Sequence, residues 1–173
     1  EKKVNCFSYV GDINSNKTLD ELFELARREK LEVLINNAAA SMESNFESLS
    51  DNQIDHVITT NLLSVIKLTK RIYQLFLESG CGTIININSI LGLEGKENKS
   101  IYSASKHGLR GFSESLRPEA KKKNIHVLDI YPTRIKTRLE YTYGMEPSEV
   151  AKKIYHSYEN MLDKLLLDNR PRE

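Results

Sequence analysis

The run SIYSASKHGL, residues 100–109, contains two residue types whose spacing suits proton transfer. Tyr102 stands four residues before Lys106, and residues at i and i+4 lie on one helix face. A phenol with an ordinary pKa of about 10 is a poor acid–base group at neutral pH. A cation beside it favours the phenolate and lowers that value. Ser89 stands thirteen residues before the tyrosine, at the end of a β-branched run, and its hydroxyl suits holding a substrate oxygen next to the phenol. The competing reading of the pair is an ordinary contact on a helix surface. The elements around it decide between the two.

Those elements alternate. Residues 4–13 (VNCFSYVGDI), 31–38 (LEVLINNA), 82–89 (GTIININS), 124–132 (NIHVLDIYP) and 164–171 (KLLLDNRP) read as strands. Helical spacing of apolar residues runs through 18–30, 50–79, 101–123 and 146–162. Ser50 is a candidate N-cap, and Pro147 sits in a first turn. Pro118 is expected to kink its helix or start a new turn. Regular β-α alternation predicts a doubly wound parallel sheet, an α/β Rossmann-like domain spanning residues 1–173. Ligands of such sheets bind beyond the carboxyl ends of the strands. Asp12, Asn36-Asn37, Ser89 and Pro132-Thr133 all fall at predicted strand ends.

With these residues in place, the chain resembles the short-chain dehydrogenase/reductase superfamily from about residue 4 to its C-terminus. The Tyr-x-x-x-Lys pair is matched by Tyr102 and Lys106, the serine by Ser89, and the helix asparagine by Asn61 in TTNLLS. The Asn-Asn-Ala-Gly strand end is matched by NNAA, Asn36 to Ala39, with alanine for glycine. An Asp-Val pair is matched by Asp12-Ile13, and Pro-Gly-x-x-x-Thr by Pro132 to Thr137, with threonine for glycine. The resemblance implies hydride transfer between NAD or NADP and a carbonyl or alcohol substrate, with Tyr102 as acid–base and Ser89 orienting the substrate. Lys106 is expected to lower the tyrosine pKa and hold the nicotinamide ribose, and Asn61 to steady Lys106 through a water. Asp12 is expected at the adenine, Asn36 and Ala38 on the adenosine side, and Pro132 and Thr137 near the carboxamide. A homodimer or homotetramer is implied, paired through helices 50–79 and 101–123. Thr133 in place of glycine removes backbone freedom beside the nicotinamide.

The remaining composition adds exclusions. A formal net charge of +1 gives no electrostatic reason to expect nucleic acid or an anionic membrane as partner. Lys121-Lys122-Lys123 reads as a helix end, where cations complement the dipole. Cys6 and Cys81 lack CxxC spacing and are expected to be free thiols in a reducing, cytoplasmic setting. The four histidines form no metal motif, and His107 is expected to face away from Lys106. Arg134 and Arg138, in the loop after Pro132, could meet an anionic substrate, but they read first as a solvated loop. No apolar run reaches the roughly 20 residues of a membrane span.

None of the eight glycines forms GxxxGxG or GxGxxG after a strand. By the family's layout the chain begins at the third strand, and the pyrophosphate-binding turn lies upstream with two strands and two helices. The expectation is therefore a longer natural protein, and no measurable NADH or NADPH binding by these 173 residues alone. The alternative is a non-catalytic fragment or pseudoenzyme serving as an interaction module.

Overall fold

The computed structural model describes residues 6–137 and 142–170. Four parallel strands, β1 (Val33–Asn36), β2 (Gly82–Ile87), β3 (Ile125–Pro132) and β4 (Lys164–Leu167), lie side by side in chain order. Helices α1 (Asn16–Arg28), α2 (Asp51–Ile58), α3 (Ser64–Ser79), α4 (Ser100–Lys121) and α5 (Pro147–Glu159) connect and flank them. Alternate strand residues face opposite sides of the sheet, and the core divides accordingly. Leu34, Ile84 and Val127 pack with Leu19 and Ala26 of α1, Ile72 and Phe76 of α3, and Ala120 of α4. Ile85, Leu128 and Ile130 face the other way, onto Val150 and Ile154 of α5. The predicted α/β architecture is present.

Local chemistry sets the element ends. Ser50 caps α2 through a capping box, its side chain accepting from the Gln53 N–H while the Gln53 side chain accepts from the Ser50 N–H. Pro147 starts α5, where its missing N–H leaves nothing unbonded. The triple-lysine run is exposed at the end of α4. Between α2 and α3 the helical backbone widens into a π-type turn, Thr59–Leu63, which carries Asn61.

One expectation needs correction. Of the strand predicted over 4–13, residues 4 and 5 lie outside the described residues, and 6–12 form no ladder. A strand is held by backbone bonds to a neighbour, and no described strand offers one; Val10 is 96% exposed. Asn14 anchors the turn that leads into α1, donating to Thr60 Oγ1 at 3.0 Å and accepting from Ser64 Oγ at 2.9 Å. Pro118 lies inside α4, which runs on to Lys121.

Candidate active site

Helix α4 presents Tyr102 and Lys106 one turn apart against the carboxyl end of β2. Lys106 is 2% exposed, and its Nζ donates to the Ile87 carbonyl oxygen at 2.9 Å. The same nitrogen lies 5.8 Å from the centre of the Tyr102 ring. Burial pulls the lysine pKa down to about 8, so the ammonium persists at neutral pH. Burial pushes the Tyr102 phenol up, while a side-chain hydrogen bond with Ser89 works in the opposite direction. Desolvation dominates, and the lysine's hydrogen bond goes to the strand end.

Ser89 follows β2 and caps a short 3₁₀ turn, Ile90–Gly92, its Oγ accepting from the Leu91 N–H at 3.2 Å. Its own N–H is fixed by Asn88 Oδ1 at 2.9 Å. The turn lies so close to α4 that a Cβ on Gly92 would fall 2.5 Å from Asn88 Oδ1 and 3.0 Å from the Lys106 carbonyl oxygen. Only a bare backbone lets the serine turn and the tyrosine helix approach this closely. The serine and the phenol therefore meet because β2, its turn and α4 are packed together.

Asn61 is wholly buried; it donates from Nδ2 to the Ala40 carbonyl oxygen at 2.9 Å and to Ser105 Oγ at 3.0 Å, and its Oδ1 accepts from the Ala40 N–H at 2.7 Å. Ser105 Oγ donates in turn to the Tyr102 carbonyl oxygen at 2.7 Å. Asn61 thus ties the segment after β1 to the turn of α4 between Tyr102 and Lys106.

The Asn36 side chain is buried and donates to Thr69 Oγ1 at 3.1 Å and Asn86 Oδ1 at 2.8 Å. A buried amide needs such partners, so this one turns into the sheet. Asn36 opens a row that sequence reasoning missed. Asn36, Asn86 and Asp129 stand in register on β1, β2 and β3, Asn86 donates to Ser113 Oγ at 2.9 Å, and Arg117 of α4 pairs with the fully buried Asp129. Burial raises the Asp129 carboxyl to about 6, against the pull of Ser113 and Arg117. The signal was available: Asn86 and Asp129 are polar residues inside otherwise apolar strands.

The other expected residues are spread around the sheet edge. Asp12 is exposed and accepts from the Asn14 N–H at 2.9 Å, shaping the turn before α1. Ala38 and Ala39 are exposed beyond β1, Pro132 is buried at the end of β3, and Thr137 is exposed. Thr133 adopts no positive φ, so this position does not need glycine here; its Oγ1 donates to Asn169 Oδ1 at 2.6 Å. His107 is exposed, with Nδ1 2.9 Å from the Ser103 carbonyl oxygen, on the side away from the buried lysine. Arg138 lies outside the described residues.

Ser89, Tyr102, Thr133 and Arg134 line one cleft of about 640 Å³. Arg134 is exposed in the loop after β3, as expected, and also lines this cleft. A second depression, of about 600 Å³, opens at the amino ends of β2 and β3 and contains none of these groups. Among the described residues no cluster of histidine, cysteine or acidic side chains can hold a metal ion, both cysteines are free, and no helix is long and apolar enough to cross a membrane.

A parallel sheet with serine, tyrosine and lysine gathered at its carboxyl edge defines a Rossmann-like α/β protein. The chain belongs to the short-chain dehydrogenase family, whose model matches residues 1–146. It is 33% identical over 125 residues to the acetoacetyl-CoA reductase of Acinetobacter sp. (strain RA3849), covering 71% of this chain and 50% of that protein. It is 32% identical over 139 residues to a 3-oxoacyl-acyl-carrier-protein reductase of Buchnera aphidicola subsp. Schizaphis graminum (strain Sg), covering 79% and 57%. Among solved structures, 4-hydroxyisoleucine dehydrogenase complexed with NADH and succinate superposes with a TM-score of 0.79 at 27% identity, over 91% of this chain and 77% of that one. The chain spans about half the length of the curated relatives it matches.

Proposed function

We propose that the protein is a nicotinamide-dependent carbonyl reductase or alcohol dehydrogenase with Tyr102 as proton donor and acceptor. The observation that carries this reading is the buried Lys106 ammonium beside the Tyr102 ring, with the Tyr102 and Ser89 side chains lining one cleft. In the reducing direction the substrate carbonyl sits between Ser89 and Tyr102. Its carbon accepts a hydride and its oxygen accepts the Tyr102 proton, so C–H and O–H bonds replace the π bond. A reduced nicotinamide, when bound, would supply that hydride, since no side chain has the chemistry to do so. The tyrosinate left behind is stabilised by the Lys106 charge and recovers its proton from solvent.

The residues present fit the nicotinamide half of NAD or NADP. A buried cation, an acid–base phenol and the side-chain-poor Ala38-Ala39 segment stand at the carboxyl edge of the sheet. Lys106 would hold the ribose, with Thr137 at the carboxamide and Asp12 and Ala38 toward the adenosine, as the family's motifs imply. A glycine-rich turn for the pyrophosphate is not among these residues. The named reductase relatives support a carbonyl-containing substrate.

The test is Tyr102→Phe in the protein expressed from its own gene. Loss of the phenol proton is expected to lower carbonyl reduction by about 10²- to 10⁴-fold, the range for a positioned acid–base group, while cofactor binding persists. Near-normal turnover in the variant would overturn the assignment.

A further inference from the structure

The carboxyl edge of the sheet carries a cross-tie that the proposed reaction does not use. Strands β2, β3 and β4 lie in that order, so a contact between the segments that follow β2 and β4 bridges the end of β3. Glu94 and Arg170 make such a contact. Glu94 follows the short turn that begins at Ser89, and its N–H donates to the Ile90 carbonyl oxygen at 3.1 Å. Arg170 follows β4 and donates from Nη1 to the Glu94 carboxylate. Its Nε and Nη2 donate to the Asp168 carboxylate at 2.9 and 2.7 Å, which fixes the guanidinium on its own segment and leaves Nη1 for Glu94.

The segment carrying Arg170 is seated on β3 itself. The Thr133 N–H donates to the Leu167 carbonyl oxygen at 2.9 Å and continues the β3–β4 ladder. Thr133 Oγ1 then donates to Asn169 Oδ1 at 2.6 Å and accepts from the Asn169 N–H at 3.4 Å. Glycine, which the family motif carries at this position, has no hydroxyl to offer Asn169. Ser89, Glu94, Tyr102, Thr133, Asn169 and Arg170 all line the cleft of about 640 Å³. The tie is therefore part of the wall of the cavity that, on the reductase reading, receives the carbonyl compound.

Magnitude decides how firmly this wall closes. The Glu94 and Arg170 side chains are 41% and 47% exposed. An exposed ion pair shifts an equilibrium by no more than about fivefold, and salt screens it. A wall held this weakly opens readily, and only substrates too large for the closed cleft meet the cost of opening it.

Resting on the reductase reading, we infer that the Glu94–Arg170 tie is a size filter: small carbonyl compounds reach Ser89 and Tyr102 with the tie closed, whereas bulky ones must break it. The experiment is steady-state reduction of two uncharged matched pairs, methyl against tert-butyl acetoacetate and cyclohexanone against menthone. It uses the protein expressed from its own gene, with NADPH and with NADH. Glu94→Gln keeps the side chain's size and removes its charge, and Arg170→Ala removes the arm. Each is expected to raise the bulky-to-small ratio of kcat/KM about threefold. The double variant is expected to gain no more than Arg170→Ala alone, because one interaction is broken once. Raising sodium chloride from about 20 mM to about 500 mM is expected to raise the same ratio in the wild type and to leave that of Glu94→Gln where it is. Ratios that the substitutions do not move, additive gains in the double variant, or salt acting equally on wild type and Glu94→Gln would overturn this inference and leave the reductase reading standing. Absence of turnover with every compound would overturn both.

Discussion

Lys106 lies with its Nζ 2.9 Å from the Ile87 carbonyl oxygen and 5.8 Å from the centre of the Tyr102 ring. A single buried cation thus joins the end of β2 to the Tyr102 ring on α4. A positive charge at this distance favours a phenolate, so the charge state of Lys106 bears on how well one is tolerated.

That relationship sets a pH dependence. Lys106 is protonated below its pKa of about 8 and neutral above it, whereas the Tyr102 phenol, pushed up by burial, stays protonated across the same range. Carbonyl reduction is therefore expected to hold a plateau below about pH 8 and to decline above it, as the charge that stabilises the departing tyrosinate is lost. Rates measured from about pH 6 to 10 check this. Turnover unchanged at the alkaline end would separate the lysine charge from catalysis.

Asp129 gives a second, purely thermodynamic prediction. Its carboxyl is raised from 3.8 to about 6 by burial. The folded state therefore holds a proton that the unfolded state has released over that interval, and stability falls as pH rises through it. Asp129→Asn removes the titration while keeping a polar side chain beside Arg117 and Ser113. Wild type is expected to gain up to about 3 kcal/mol relative to the variant between neutral pH and pH near 4. Urea unfolding of both proteins at the two pH values measures the difference; parallel pH dependences would refute the assignment.

The sheet was legible because buried parallel strands are apolar and β-branched. The runs containing Val33–Asn36, Gly82–Ile87 and Ile125–Pro132 all became strands within the predicted spans. Helix starts were legible where chemistry marks them, at Ser50 and Pro147. Residues 6–12 show the limit of such reading: side-chain pattern describes a strand's faces, but only a neighbour supplies its hydrogen bonds. The π-type turn at Asn61 escaped because one extra residue in a helical turn barely disturbs an apolar stripe. Tyr102, Lys106 and Ser89 were placed by motif spacing. The partners of Asn36 and Asn61, by contrast, depend on contacts 33 and 44 residues away, which no local pattern encodes.

Asn61 therefore offers the sharpest test of how the site is held in place. Its amide satisfies both the N–H and the carbonyl of Ala40 and reaches Ser105, whose hydroxyl bonds the Tyr102 backbone. Asn61→Ala leaves two Ala40 backbone groups without these partners and opens a void in a fully buried position, so a loss of about 1–3 kcal/mol is expected. Asn61→Asp keeps an acceptor for the Ala40 N–H but cannot donate to its carbonyl or to Ser105, and it adds a buried charge; it should restore little. If the asparagine also positions α4, the alanine variant will lower kcat under conditions where it remains folded, without altering the pH at which the rate begins to fall. That decline belongs to Lys106, whose hydrogen bond to Ile87 the substitution leaves intact. A shifted alkaline limit would instead mean that Asn61 acts through the lysine charge. Wild-type stability together with wild-type kcat would show that the Ala40 clasp holds nothing the site requires.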